Sequence, residues 1–147
     1  MYKRQTLSTL DRDHREDDVR RVMQLLLDSG LIVSVDLIIA APKQTLDAAS
    51  QDIEAITALG AQHISVYCLT WEQGTAFWGK RARGTLIPVA EDIEHEMFEL
   101  AIDRLSSSGY QQYEVSNFAQ PEMMCRHNEA YWAVSYTHLT LPTNREV

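Results

Sequence analysis

The stretch Ser34-Val35-Asp36-Leu37-Ile38-Ile39-Ala40-Ala41-Pro42-Lys43-Gln44-Thr45 restricts the fold of this chain more than any other. A continuous apolar run carries one carboxylate, breaks at Ala-Ala-Pro, and is followed by a Thr where a helix would begin. Unbroken Val/Ile/Leu runs mark strands of parallel sheets, which are covered by helices on their faces. In a β/α barrel such a strand delivers its C-terminal end to a site at the mouth. Asp36 is the odd member. A carboxylate buried without a partner costs several kcal/mol, so Asp36 must face a ligand or be tied to neighbouring backbone N–H groups. Both readings stand on this stretch alone.

The neighbouring periodicities put the strand in an α-β-α-β series. Leu10-Asp11-Arg12-Asp13-His14 precedes a helix with Val19, Val22, Met23, Leu26 and Leu27 on one stripe, stopped by Gly30. The strand follows over residues 32–39. Thr45 predicts the N-cap of a second helix that turns Leu46, Ala49, Ile53, Ile56 and Leu59 inward and ends at Gly60. Residues 64–69 read as a second strand, so the pair forms a βαβ unit with parallel strands and a right-handed crossover. After Thr70 the texture changes. Residues 71–78 are aromatic, and 79–88 form a Gly/Arg/Lys loop. A third helix runs from about Glu91 to Ser107 with Ile93, Met97, Ala101 and Leu105 on one face. Residues 110–116 read as a strand and 117–124 as a loop. No internal repeat or low-complexity segment is visible.

Charge and cysteine usage exclude several function classes. The formal net charge of −8 makes nucleic acid and anionic membrane poor partners. No apolar stretch approaches the roughly 20 residues of a membrane span. Cys68 and Cys125 are the two cysteines, and they lie too far apart to suggest a disulfide framework. A reducing cytoplasm is the compartment this implies. The length suits one domain or part of a larger one. The termini read differently. Residues 1–5 back-translate as GTG TAT AAG AGA CAG, and residues 134–143 as GTC TCT TAT ACA CAT CTG ACG CTG CCG ACG. Both look like the transposase-end adapter of sequencing libraries, so 1–5 and 134–147 are set aside as non-native. Residues 6–133 are expected to be natural sequence cut from a longer protein.

Few residues stand out for chemistry. Arg12 and Asp36 fall before a helix and on a strand, where they can meet at a barrel mouth and hold an amino-acid-like cofactor. A structural ion pair explains them equally well. Cys125 and His127 can ligate a metal, although two ligands at this spacing fall short of a zinc site. They suit an axial haem position, and equally a surface His beside a buried Cys. Glu72 and Glu114 are carboxylates suited to acid–base work, with nothing in the sequence to bring them together. Ser-His-Asp signatures, phosphate-binding Gly loops and HExxH are absent.

Taken in order, the motifs resemble a known family. Leu10-Asp11-Arg12-Asp13-His14 is similar to LGRxH, and the stretch from Asp36 to Thr45 is similar to DLIxGLPxQT. His63-Ile64-Ser65-Val66-Tyr67-Cys68-Leu69-Thr70 with Glu72, Gly74 and Thr75 resembles HISxYxLTxExGT. The run from Gly109 to Ala119 resembles GYxxYEISNFA, and Cys125-Arg126-His127-Asn128-Glu129-Ala130-Tyr131-Trp132 resembles CRHNxxYW. Together they resemble the oxygen-independent coproporphyrinogen III oxidase-like radical S-adenosylmethionine (SAM) family. CRHNxxYW points to its haem-chaperone, HemW-type branch.

The resemblance implies an α/β fold, the C-terminal part of a partial (β/α)6 radical SAM barrel plus the start of a C-terminal α+β domain. Residues 6–78 would be the last part of the barrel, and 79–133 a linker and the opening of the following domain. It implies a [4Fe-4S] cluster and SAM as cofactors, with Arg12, Asp36 and Thr70 at SAM-contacting positions. His127 and Cys125 are the residues it offers to haem. Haem or a porphyrin is then a partner, with an unnamed acceptor protein. Two departures matter. GLPG becomes Ala40-Ala41-Pro42-Lys43, which puts side chains where the family has glycine and predicts an altered turn. The CxxxCxxC that ligates the cluster lies upstream of Thr6 in this family, so this chain alone is expected to bind no cluster. Two other functions compete: part of a true coproporphyrinogen dehydrogenase, which decarboxylates propionates by radical chemistry, and an unrelated β/α-barrel enzyme.

Overall fold

A computed structural model of the chain describes residues 16–138, with side chains as far as 132. Helix α1 (Glu16–Asp28) leads into strand β1 (Ser34–Ile39), helix α2 (Leu46–Thr57) and strand β2 (His63–Cys68). A short helix α3 (Ala76–Ala82) and the long α4 (Glu91–Ser107) follow. Strands β3 (Gln111–Gln112) and β4 (Asn117–Ala119) and helix α5 (Arg126–His138) complete the described part. The four strands make one mixed sheet in the order β1-β2-β4-β3. As expected, β1 and β2 are parallel, with Asp36 opposite Ser65 and Ile38 opposite Tyr67. β4 then runs antiparallel to β2, placing Asn117 opposite Ser65 and Phe118 opposite Ile64.

Alternation along the strands divides this sheet into two unlike faces. Leu37, Ile39, Ile64, Val66 and Phe118 point to one side and are fully buried against Ala49, Ile53 and Ile56 of α2 and Met97, Ala101 and Leu105 of α4. The expected inward faces of both helices are therefore the observed ones. Thr45 caps α2 as its spacing predicts, accepting the Ala48 N–H at 3.2 Å. A smaller cluster forms where α1 rests Met23 against Val33 and Ala61. Val22, counted in the α1 stripe, is half exposed instead. The core and the sheet run across the boundary expected after residue 78, because α4 and β4 pack with β1 and β2.

Two local expectations are corrected. Residues 76–82 form a helix rather than the start of a loop, because the Thr75 hydroxyl accepts the Trp78 N–H and supplies an N-cap. The strand expected over 110–116 is interrupted after Gln112, and the segment expected as a loop contains β4. The Glu114 carboxylate causes this: it accepts the Ser116 N–H at 3.0 Å and also the Asn117 amide, closing a tight turn between β3 and β4. In the turn after β1, Ala40 and Lys43, which stand where the family has glycine, adopt φ of 59° and 67°. The loop therefore has left-handed residues at both positions and carries the strain of their side chains. It is held by Gln44, whose Oε1 accepts the Ala41 N–H at 3.2 Å while its amide donates to the buried Asp52 carboxylate at 3.0 Å.

Candidate functional site

The second face of the sheet has a different composition. Ser34, Asp36 and Ile38 of β1, His63, Ser65 and Tyr67 of β2, and Asn117 and Ala119 of β4 share it by register. Polar residues dominate, and Ser34, Asp36 and Tyr67 are exposed. The loops that close over one end come from the β3–β4 turn and from the start of α5.

His63 organises this face. Its Nδ1 lies 2.8 Å from the Ser34 hydroxyl and its Nε2 2.7 Å from the Tyr113 phenol. The same phenol oxygen accepts the Asn128 side-chain amide at 3.1 Å and the Cys125 backbone N–H at 3.4 Å. A hydroxyl oxygen accepts two hydrogen bonds and donates one. With both lone pairs engaged, the phenol proton is directed to Nε2, and the imidazole then donates from Nδ1 to Ser34. This arrangement needs a neutral His63. Burial lowers its pKa below the ordinary 6.5, against the opposing pull of the Asp36 and Glu114 carboxylates. Burial likewise raises the Tyr113 phenol, keeping it protonated.

Asn117 completes the row that begins at Asp36 and passes through Ser65. It is 7 % exposed, and its amide nitrogen is turned to Glu114. Its Oδ1 is buried without a hydrogen-bond partner among the described residues. Beyond the turn, Tyr113, Glu114, Val115, Met124, Glu129 and Trp132 line an open groove of about 460 Å³.

The residues expected to act are distributed as follows. Asp36 is on the polar face, but exposed, so the burial penalty from which its need for a partner was argued does not apply. The buried carboxylate is instead Asp52 of α2, on the helix side of the sheet, 1 % exposed and bonded to Gln44. Its place between Ala49, Ile53 and Ile56 was the signal for it. Arg12 lies outside the described residues. Thr70 is exposed just past the end of β2. Cys125 is half-buried at the residue whose carbonyl accepts the first helical bond of α5, from Glu129 N–H at 3.1 Å. His127 is exposed on the first turn. Glu114 is engaged in the β3–β4 turn and Glu72 is exposed before α3, with no contact joining them among the described residues. Cys68 faces the helix layer, where burial and the adjacent Glu94 carboxylate push its thiol up to about 11. No group of three or more His, Cys, Asp or Glu suited to a metal ion occurs among the described residues. Sequence reasoning gave no role to His63, Tyr113 or Asn128. Each sits inside a quoted motif, but only the fold brings them to one phenol.

No protein-family model matches the sequence. Among solved structures, the chain superposes on coproporphyrinogen III oxidase (HemN) from Escherichia coli, described as a radical SAM enzyme, with a TM-score of 0.71 and 20% identity. That match covers 82% of this chain and 28% of the other. The architecture is thus the α/β fold of the matching part of HemN. Among curated proteins, heme chaperone HemW of Lactococcus lactis is 35% identical over 127 residues, covering 86% of this chain and 34% of the relative. HemW of Bacillus subtilis is 34% identical over 128 residues, again covering 86% of this chain and 34% of the relative. These relatives, together with the shared fold, support a HemW-type radical SAM family for this chain. It spans about a third of the length of the curated relatives it matches. No described helix is long and apolar enough to cross a membrane.

Proposed function

We propose that this chain supplies part of the SAM-facing wall and the haem-holding segment of a cytoplasmic radical SAM haem chaperone, which passes haem to an acceptor protein. The observation that carries the reading is the phenol of Tyr113, which joins the polar sheet face to the segment Cys125–Asn128. Three separate motifs of the resemblance meet there.

Haem is the cargo. His127 and Tyr131 are four residues apart on α5 and so share a helix face, with Trp132 beside them. Tyr131 is 68% and Trp132 50% exposed, an aromatic surface suited to the flat face of a porphyrin. His127 offers an imidazole and Cys125 a thiol as axial iron ligands. On the sheet, Asp36 and Thr70 would contact SAM, together with Arg12. The orphaned Asn117 Oδ1 in the row from Asp36 and Ser65 fits a ligand that brings hydrogen-bond donors, as an amino acid and a ribose do. Bound beside a reduced cluster, SAM supplies radical chemistry. The described residues do not fit the cluster itself: Cys68 is held as a thiol among helices, and Cys125 stands apart from it.

Ferric haem titrated into the chain is expected to show a Soret band displaced from that of free haem, a displacement that His127→Ala removes or changes. A band identical in the parent, His127→Ala and Cys125→Ala would overturn the assignment of the haem-holding segment.

A further inference from the structure

The hydrogen bonds around Tyr113 fix more than a turn. Its phenol accepts from the backbone of Cys125 and from the side chain of Asn128, the residues on either side of Arg126-His127. On its other side it meets His63, which is anchored to Ser34 on the neighbouring strand. One oxygen therefore links β1, β2, the β3–β4 turn and the start of α5. The rings of His63 and Tyr113 meet edge to face, with centroids 5.7 Å apart at 63°. Apolar burial does not explain this arrangement. Tyr113 is only half-buried and lies on the polar side of the sheet, outside the core that holds Tyr110. Tyr110, three residues earlier, is a core tyrosine with its hydroxyl on the Ala61 carbonyl at 2.6 Å.

We infer that Tyr113 is a positioning residue: it sets the height and orientation of the Cys125–Asn128 segment over the sheet, and so the direction in which His127 presents its imidazole. This rests on the haem reading above for its ligand, and on geometry alone for its action. The phenol acts through the segment's first amide and last side chain. Its hydrogen bonds among the described residues go to His63, the Cys125 backbone and the Asn128 side chain, not to a candidate iron-binding atom. His63 is the second link, since it fixes the phenol from the opposite side.

The test compares the parent chain with Tyr113→Phe and Asn128→Ala, using ferric haem as the probe. Amide hydrogen exchange is measured without haem. Tyr113→Phe keeps the ring and removes the oxygen, leaving the Cys125 N–H and the Asn128 amide without their acceptor. Protection of the Cys125–Asn128 amides is expected to fall about tenfold, and haem affinity to fall by about the same factor with a shifted Soret maximum. Asn128→Ala removes one of the two bonds and leaves the His63–Tyr113 contact, so the same changes are expected to be smaller. Should Tyr113→Phe fail to fold, Asn128→Ala decides: no change in exchange or in the Soret maximum overturns the inference. Unchanged exchange and an unchanged spectrum in a folded Tyr113→Phe overturn it equally. If the parent leaves the Soret band of free haem unshifted, the haem reading has failed, and exchange alone then decides whether Tyr113 positions the segment.

Discussion

The two faces of the sheet are built from alternate residues of the same strands, yet they meet different demands. On the helix side, Leu37, Ile39, Ile64, Val66 and Phe118 are wholly buried. On the other, Ser34, Asp36 and Tyr67 remain exposed, and the buried members are the polar His63, Ser65 and Asn117 with the small Ala119. Stability on the first face comes from apolar area and close packing, which register fixes and any loss of volume disturbs. The second face gives little to folding beyond the chain of bonds through His63. It is therefore free to carry groups chosen for a ligand. A strand can serve both ends at once because a single residue step changes face.

If that division is right, the largest effect belongs to the packed face. Phe118→Ala is expected to lower stability by about 3–5 kcal/mol, the range for emptying an aromatic site in a core. Tyr67→Ala, on the opposite face of the same sheet and 44% exposed, is expected to cost far less. Urea midpoints for the two variants measure the contrast. Comparable losses from both would mean that the polar face is a second core.

The next effect is the pH response of the polar face. The folded His63 has its pKa lowered from 6.5 by burial, opposed by Asp36 and Glu114. A lowered folded value means that the unfolded chain takes up the proton first. The contribution of His63 is thus fully present above pH 6.5 and is lost as pH falls from there through the folded pKa. The melting temperature of the parent is expected to drop more between pH 7 and pH 5 than that of His63→Gln. Parallel profiles would remove His63 from the account of this face.

How much of this division was legible differs by face. The packed side was readable because period governs it: Ala49, Ile53 and Ile56, or Met97, Ala101 and Leu105, announce an inward face by spacing alone. The polar side was not, since its organising bonds join residues 34, 63, 113 and 128, and no periodicity reports such distances. Asp36 attracted notice as a charge inside an apolar run, when the run is apolar for only one of its two faces. The β3–β4 turn was missed because Glu114 closes it with a side chain, where the usual Gly or Asn signal is absent. The turn after β1 was legible as a motif, though not in its left-handed backbone angles, and it gives the third prediction. Lys43 is exposed at φ 67°, so Lys43→Gly is expected to raise stability by about 1 kcal/mol through relief of that strain. Ala40→Gly relieves the same strain but removes a buried methyl, worth roughly 0.8 kcal/mol, and should come out near neutral. A loss at Lys43→Gly would show that the loop is held by that side chain.

The smallest effect on stability is the most informative about the open face. Asp36 is exposed, and its register partner Ser65 belongs to the polar row rather than to the core. Removing its charge takes nothing from the packed side, so Asp36→Asn is expected to change stability by no more than about 0.5 kcal/mol. The amide keeps the shape and one acceptor oxygen, but it loses the negative charge that would hold a cationic or donor-rich ligand. SAM carries an ammonium, a sulfonium and ribose hydroxyls, and charge-assisted hydrogen bonds are roughly twice as strong as neutral ones. Calorimetric titration of SAM into the parent and into Asp36→Asn should therefore separate where the melting curves do not. A variant that melts like the parent and still binds SAM equally well would leave this face without its proposed ligand. One that loses several kcal/mol would place Asp36 among the groups that hold the fold, and the contrast between the two faces would no longer stand.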